Sequence, residues 1–277
     1  MKRRGIGLLT FIFLALTQTM AFSQSFDTKA EEARKNYGNK ITVLPKDGSV
    51  TISEDRIVLA PKKQGSEYTI SGYFKGQIVN KTKNTLIRLK NAYIENTNGE
   101  ACIYGEAKTE IASAKGSVNY LLSSGTSVSK TAALQSKKNL EVGGSGTIYV
   151  IGKSYHGIKG DDVKFKGSGN IYSSGTDKGS AVNCKSFTVS EDKTFTAYLF
   201  DSKNGIKADG VINIASGNFY FYGNGTALKT DTEEDNPEIC HGIEIKHAVL
   251  HTKNNTVLQE TSENAFKNKA IILEDKN

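Results

Sequence analysis

HGIKGDD, residues 156–162, recurs as NGIKADG at 204–210 and more loosely as TALKTDT at 226–232. Aligned on the small residue that opens each unit, the chain gives ALQSKK (133–138), GIKGDD (157–162), AVNCKS (181–186), GIKADG (205–210), ALKTDT (227–232) and AFKNKA (265–270). The first four steps are 24, 24, 24 and 22 residues. A fixed period of this length marks stacked repeats, each too small to bury its own apolar face. Apolar residues alternate with polar ones inside each unit, which is the period of a strand.

A second strand follows each unit, at LEV (140), VKF (163), FTV (187), INI (212) and IEI (243). A third is read in GTIYVIG (146–152), GNIYSSG (169–175), KTFTAYLF (193–200) and GNFYFYG (217–223), with Ile148, Ile171, Phe195 and Phe219 in one inward column. Three strands per turn of 22 to 24 residues predict an all-β solenoid, the parallel β-helix, whose alignment columns become ladders with a spacing of about 4.8 Å. The first inward ladder reads Leu134, Ile158, Val182, Ile206, Leu228 and Phe266. Before the last unit the step grows to 38 residues, much of it in the acidic stretch DTEEDNPEIC (231–240), an insertion loop.

Lys2, Arg3 and Arg4, the apolar run GIGLLTFIFLAL and Ala21-Phe22-Ser23 have the layout of a secretion signal over 1–23. The run is too short for a membrane span, so an exported, soluble monomer is expected in the periplasm, at the surface or in the medium. Residues 24–66 form an N-terminal cap region and 67–277 the repeat domain. Within the cap, DTKAEEARKNYG (27–38) reads as a short helix capped by Asp27. The strands after it stand where they close the open end of the stack.

The formal charge of +7 falls to about +4 without the three basic residues of the signal. Arg occurs only at 3, 4, 34, 56 and 88, so no Arg-rich stripe indicates nucleic acid. The three cysteines, Cys102, Cys184 and Cys240, form no CxxC pair. Mostly free, buried thiols are expected.

SGYFKGQIVNKTKNTLIRLKNAYIENTNGEACIYG (71–105), followed by LEVGGSGTIYVIGKSYHGIKGDDVKFKGSGNIYSSG (140–175), resembles a bacterial carbohydrate-binding β-helix family. The likeness runs from about Val50 to Lys269. It implies a pectate-lyase-like fold, right-handed as parallel crossovers are, a polysaccharide ligand of the polygalacturonate type, and calcium sites along the helix. Where the family commonly carries acidic residues before its Gly-Ile pair, this chain has Tyr155-His156 and Lys203-Asn204.

Three outward columns carry the candidate chemistry. The residue after each inward aliphatic gives Gln135, Lys159, Asn183, Lys207, Lys229 and Lys267, a cationic row suited to spaced carboxylates; the plain alternative is a solubilising face. Two residues on, Asp161 and Asp209 stand in a column with Asp231. With Asp162 they offer oxygen ligands for Ca²⁺, or else they simply shape turns. On the third strand Tyr149, Tyr172, Thr196 and Tyr220 precede His251, forming a platform for sugar rings or a self-packed ladder.

The leading expectation is a non-catalytic binder of acidic polysaccharide. A calcium-dependent polysaccharide lyase and a structural spacer with no glycan ligand are the rivals. No central Asp cluster supports hydrolysis, and His156 and His241 each precede a turn glycine, which points to structural roles.

Overall fold

The computed structural model describes residues 28–38, 40–127, 129–191, 193–230, 242–252, 256–259, 266–268 and 271–274. The expected signal, the 231–240 loop, Asp231, His241 and Cys240 therefore lie outside the described residues. Among the described residues the chain is all-β apart from one helix over 28–36, with 25 strands joined in one continuous sheet.

From Arg56 onward the strands pair in parallel with their counterparts in neighbouring repeats, and the pairs fall into three columns. The first column runs through Arg56–Leu59, Gln77–Asn80, Ile103–Gly105, Ala132–Ser136, the opening halves of His156–Phe165 and Ser180–Val189, Asn204–Ala208, Thr226–Thr230 and Thr256–Gln259. Its inward register is Ile57, Ile78, Ile103, Leu134, Ile158, Val182, Ile206 and Leu228, all with no exposed surface. Each contributes about 1.5–3 kcal/mol by leaving water.

The second column aligns Leu140, Val163, Phe187, Ile212, Ile243 and Phe266. The third aligns Ile148, Ile171, Ala197, Phe219 and Leu250. Where the second strand turns into the third, Gly144 and Gly167 take φ of 107° and 91°, and a side chain on Gly167 would collide with the Gly144 carbonyl. Successive turns stack that closely because both positions are glycine.

Two register expectations are corrected. The position after Ile171 is Ala197, not Phe195, so the outward residue there is Tyr198 rather than Thr196. Phe195 is still fully buried, but it enters the core from the preceding turn. Phe266 belongs to the second column opposite Ile243, which places Lys267 opposite Glu244. The first column ends instead on Leu258 and Gln259.

At the N-terminal end, Thr42–Leu44 and Val50–Ile52 pair antiparallel with Glu67–Lys75 and Arg56–Leu59. These short strands occupy edges that would otherwise template pairing with another chain. Cys102 and Cys184 are free, buried thiols, and burial pushes both well above the usual thiol range. No helix among the described residues is long and apolar enough to cross a membrane.

Candidate functional site

The outer surface of the first column is the cationic one. Gln135, Lys159, Asn183, Lys207 and Lys229 are successive register partners, one rung of about 4.8 Å apart. Upstream the row turns neutral, through Tyr104 and Val79. Lys159 is half-buried, and its Nζ donates to the carbonyl of Lys130 at 3.3 Å. Burial, then the charge of Lys130, pushes this amine below the usual lysine range, partly offset by Asp209. Lys130, in the left-handed region at φ 52°, stands 5.8 Å over the Tyr155 ring. Sequence reading missed Lys130 because it lies in the turn before the strand, where no repeat column marks it.

Beneath this row His156 is buried, and its Nδ1 accepts a hydrogen bond from the Ser180 N–H at 3.0 Å. One rung on, Asn204 Nδ2 donates to Ser180 Oγ at 3.1 Å. Burial, together with the charges of Lys159, Lys207 and Lys130, holds the imidazole at about 3, so it is neutral at physiological pH. It supports the strand and is closed off from ligand.

The second column's surface contrasts with this. Glu110 and Glu141 are adjacent there, and Lys166 reaches both, at 2.6 and 2.8 Å, while Lys108 holds Glu141 from the other side at 2.8 Å. Burial alone would raise Glu141, but hydrogen bonds from Lys108 and Lys166 and their charges bring it down to about 2. Arg88, on the same column, is held by Glu67 at 2.5 Å. This face neutralises itself, whereas the first face sets Lys159, Lys207 and Lys229 in one row with Asp209 close enough to act on Lys159.

Among the described candidate calcium ligands, Asp161 and Asp162 are engaged by neighbouring side chains. Asp161 pairs with Lys185 at 3.1 Å, and Asp162 accepts from Ser186 Oγ at 2.6 Å. Lys185 stands between Asp161 and Asp209 along the stack, where an ammonium repels a cation. Among the described residues no group of three His, Cys, Asp or Glu is arranged to hold a metal ion. The pairing of Asp209 with Asp231 lies partly outside the described residues.

Asp201 was not singled out in the sequence. It sits in the turn between the third and first columns at φ 47°, and burial raises its carboxyl to about 6. Its folded pKa exceeds the unfolded value of about 3.9, so its contribution is intact below that pH and is lost as pH rises through 6. Asp201→Asn keeps a residue suited to the left-handed region and removes the charge. The variant should gain about 1–2 kcal/mol at pH 7.5 and almost nothing at pH 3.5, read from urea unfolding at both.

The third column's outer surface is a ladder of aromatic rings. Tyr73, Tyr93, Tyr120, Tyr149, Tyr172, Tyr198, Tyr220 and His251 are successive register partners. From Tyr120 to His251 the centroids are 4.9, 4.4, 4.4, 4.8 and 4.0 Å apart and the planes lie within 21° of parallel. Each ring covers its neighbour's face, so the ladder presents ring edges and phenol oxygens outward. Helix 28–36 and Tyr37 cover its first rungs: the Tyr37 hydroxyl donates to the Val118 carbonyl at 2.6 Å, and Arg34 stands 5.3 Å over Tyr73. Rings packed in this way stabilise the stack and leave no broad face for a sugar.

The structure thus brings Lys159, Asn183, Lys207 and Lys229 together on one surface and places Tyr149, Tyr172 and Tyr220 on another. A family model described as carbohydrate-binding domain-containing protein matches residues 47–273. Among solved structures, the polysaccharide lyase-like protein from C. thermocellum, a gadolinium derivative, is similar with a TM-score of 0.55. It is 18% identical, and the match covers 83% of this chain and 85% of that one. At that identity the likeness concerns the fold. No curated protein matches the chain. The family match spans most of the sequence and every rung just described, and the chain belongs to the carbohydrate-binding domain-containing protein family.

Proposed function

We propose that this is an exported, non-catalytic binding protein, a right-handed parallel β-helix of three strands per rung that holds an acidic, polygalacturonate-like polysaccharide along its first face. The observation that carries this reading is the contrast between faces. Glu110 and Glu141 are neutralised by Lys108 and Lys166, whereas Lys159 is half-buried beside Lys130 and its amine is pushed down by both burial and that charge. Like charges held this way are stabilised by an arriving anion. Their rung spacing is close to the length of one hexose along an extended chain. Asn183, between Lys159 and Lys207, supplies a neutral hydrogen-bonding partner for hydroxyls.

The lowered Lys159 amine also favours a second reading, a lyase in which this group takes the proton alpha to a uronate carboxyl. Calcium enters either reading only through Asp209 and Asp231. One experiment separates them: titration of the mature protein with polygalacturonate, with calcium and with chelator, while the absorbance of unsaturated product is followed. Saturable binding without product is expected. Changing Lys159, Lys207 and Lys229 together to Gln should weaken it at least tenfold, about 1.4 kcal/mol, with the circular dichroism unchanged. Binding that survives this triple change sinks the proposed face, and product release moves the protein to the lyases.

A further inference from the structure

The lysines of the first face have neighbours that the repeat alignment does not show. Turns from the third column into the first stack on one another: Thr176 N–H donates to the Tyr155 carbonyl at 2.9 Å, Lys203 N–H to the Thr176 and Gly179 carbonyls at 3.1 and 2.9 Å, and Gly225 N–H to the Lys203 carbonyl at 3.0 Å. Close approach is enforced by glycine, since a side chain on Gly179 would strike the Tyr155 carbonyl. Successive turns carry Lys130, Lys153, Lys178 and Lys203, all exposed. This corner row runs parallel to the face row of Lys159, Lys207 and Lys229. The hydrogen bond from Lys159 to the Lys130 carbonyl shows that the two rows touch.

Two rungs therefore hold two cations each, Lys153 with Lys159 and Lys203 with Lys207, while a third sets Lys178 beside Asn183. The acidic residues of the same turns are Asp177 and Asp201, and Asp209 lies at the far side of the face row. A polymer with one carboxylate per residue can answer one row. The other row is answered by a second anionic group on the same polymer.

We propose that corner and face form a single site for a sulfated polysaccharide, whose ester sulfates and carboxylates meet the two lysine rows together. Lysines rather than arginines suit such a ligand, because a point charge follows a freely rotating sulfate ester without needing fixed bidentate geometry. The inference rests on the acidic-polysaccharide reading above and extends it to a more highly charged class.

The test compares dextran sulfate, polygalacturonate and neutral dextran as probes by affinity electrophoresis and calorimetry over a range of salt. The wild-type protein should bind dextran sulfate at least tenfold more tightly than polygalacturonate, with a steeper salt dependence, and should ignore dextran. Changing Lys153, Lys178 and Lys203 together to Gln should abolish that preference and leave polygalacturonate binding within about twofold. A charge-matched control, Lys62, Lys63 and Lys83 to Gln, should change neither.

Equal affinity for the two anionic polymers overturns the proposal. So does an unaltered preference in the corner variant, or an equal loss in the control, which would reduce the effect to net charge. Dextran sulfate binding that survives Lys159, Lys207 and Lys229 to Gln overturns the single site. Failure of the underlying reading looks different, as polygalacturonate then fails to bind the wild-type protein at all.

Discussion

Phe219→Ala should lower the unfolding free energy by about 3–5 kcal/mol, among the largest losses available to a single truncation in this chain. Phe165, Phe187, Phe219 and Phe195 form a closed ring of edge-to-face contacts across the interior. Their centroids are 5.0, 6.3, 5.5 and 5.9 Å apart in turn and their planes cross at 78° to 83°. Phe165 and Phe187 come from the second column and Phe219 from the third, so the ring ties two walls together. Removing Phe219 deletes its own burial, breaks two such contacts worth about 0.5–1.5 kcal/mol each, and opens a cavity that flanking rungs fixed by backbone ladders cannot collapse to fill. Equilibrium urea unfolding gives the number, and hydrogen exchange shows whether the loss stays in neighbouring rungs, as nearest-neighbour coupling in stacked repeats requires. A loss under about 1 kcal/mol would mean that the quartet does not join the walls.

Most of the stack was legible because one physical constraint writes the same letters at each turn. Leu134, Ile158, Val182, Ile206 and Leu228 must all point inward, and their register partners are the ones alignment gives. The failures have a shared cause. Taking Phe195 as the inward residue made the third-column steps after Ile171 an even 24 and 24; the actual positions, Ile171, Ala197 and Phe219, are 26 and 22 apart. Ala197 is small because Phe195 fills the core from the turn, and a volume-based reading prefers the larger residue. Tyr198 was lost with it, and with Tyr198 the continuity that makes the tyrosines a self-covering ladder instead of a platform. The last unit failed in the same way: AFKNKA matches the first-column pattern, yet its Phe266 pairs with Ile243.

The proposed binding face was half legible for a related reason. Strand positions such as Lys159 and Lys207 inherit a column, while Lys130, Lys153, Lys178 and Lys203 sit in turns whose lengths differ, so alignment scatters them. Only the backbone hydrogen bonds between turns bring them into one row. In the same way, the burial of Asp201 depends on how one turn lies on the next, a property that neither composition nor period reports.

Acidification should destabilise the protein through His156, and His156→Asn should blunt the effect. An unfolded chain protonates this imidazole near 6.5. In the folded protein burial, with Lys159, Lys207 and Lys130 adding repulsion, holds it at about 3. Protonating Nδ1 would also break the bond from Ser180 N–H. Between those two values the unfolded state carries the extra proton, so stability falls as pH falls, by about 1.4 kcal/mol per unit. Asp201 works in the opposite direction between about 3.9 and 6, since there the folded state holds the proton. The wild-type curve alone therefore understates His156, and the comparison between proteins isolates it. Asn keeps an oxygen to accept from Ser180 N–H without a titrating group. At pH 7.5 the variant should be the less stable, having lost the edge contact of His156 with Tyr155 at 4.6 Å. From pH 6 to pH 4 the wild type should lose about 2–3 kcal/mol more than the variant, followed by urea unfolding in half-unit steps. Parallel curves would clear His156 and shift the acid sensitivity to the carboxylates, Glu141 among them, whose stabilising contribution is lost progressively as pH falls from about 4.3 toward 2.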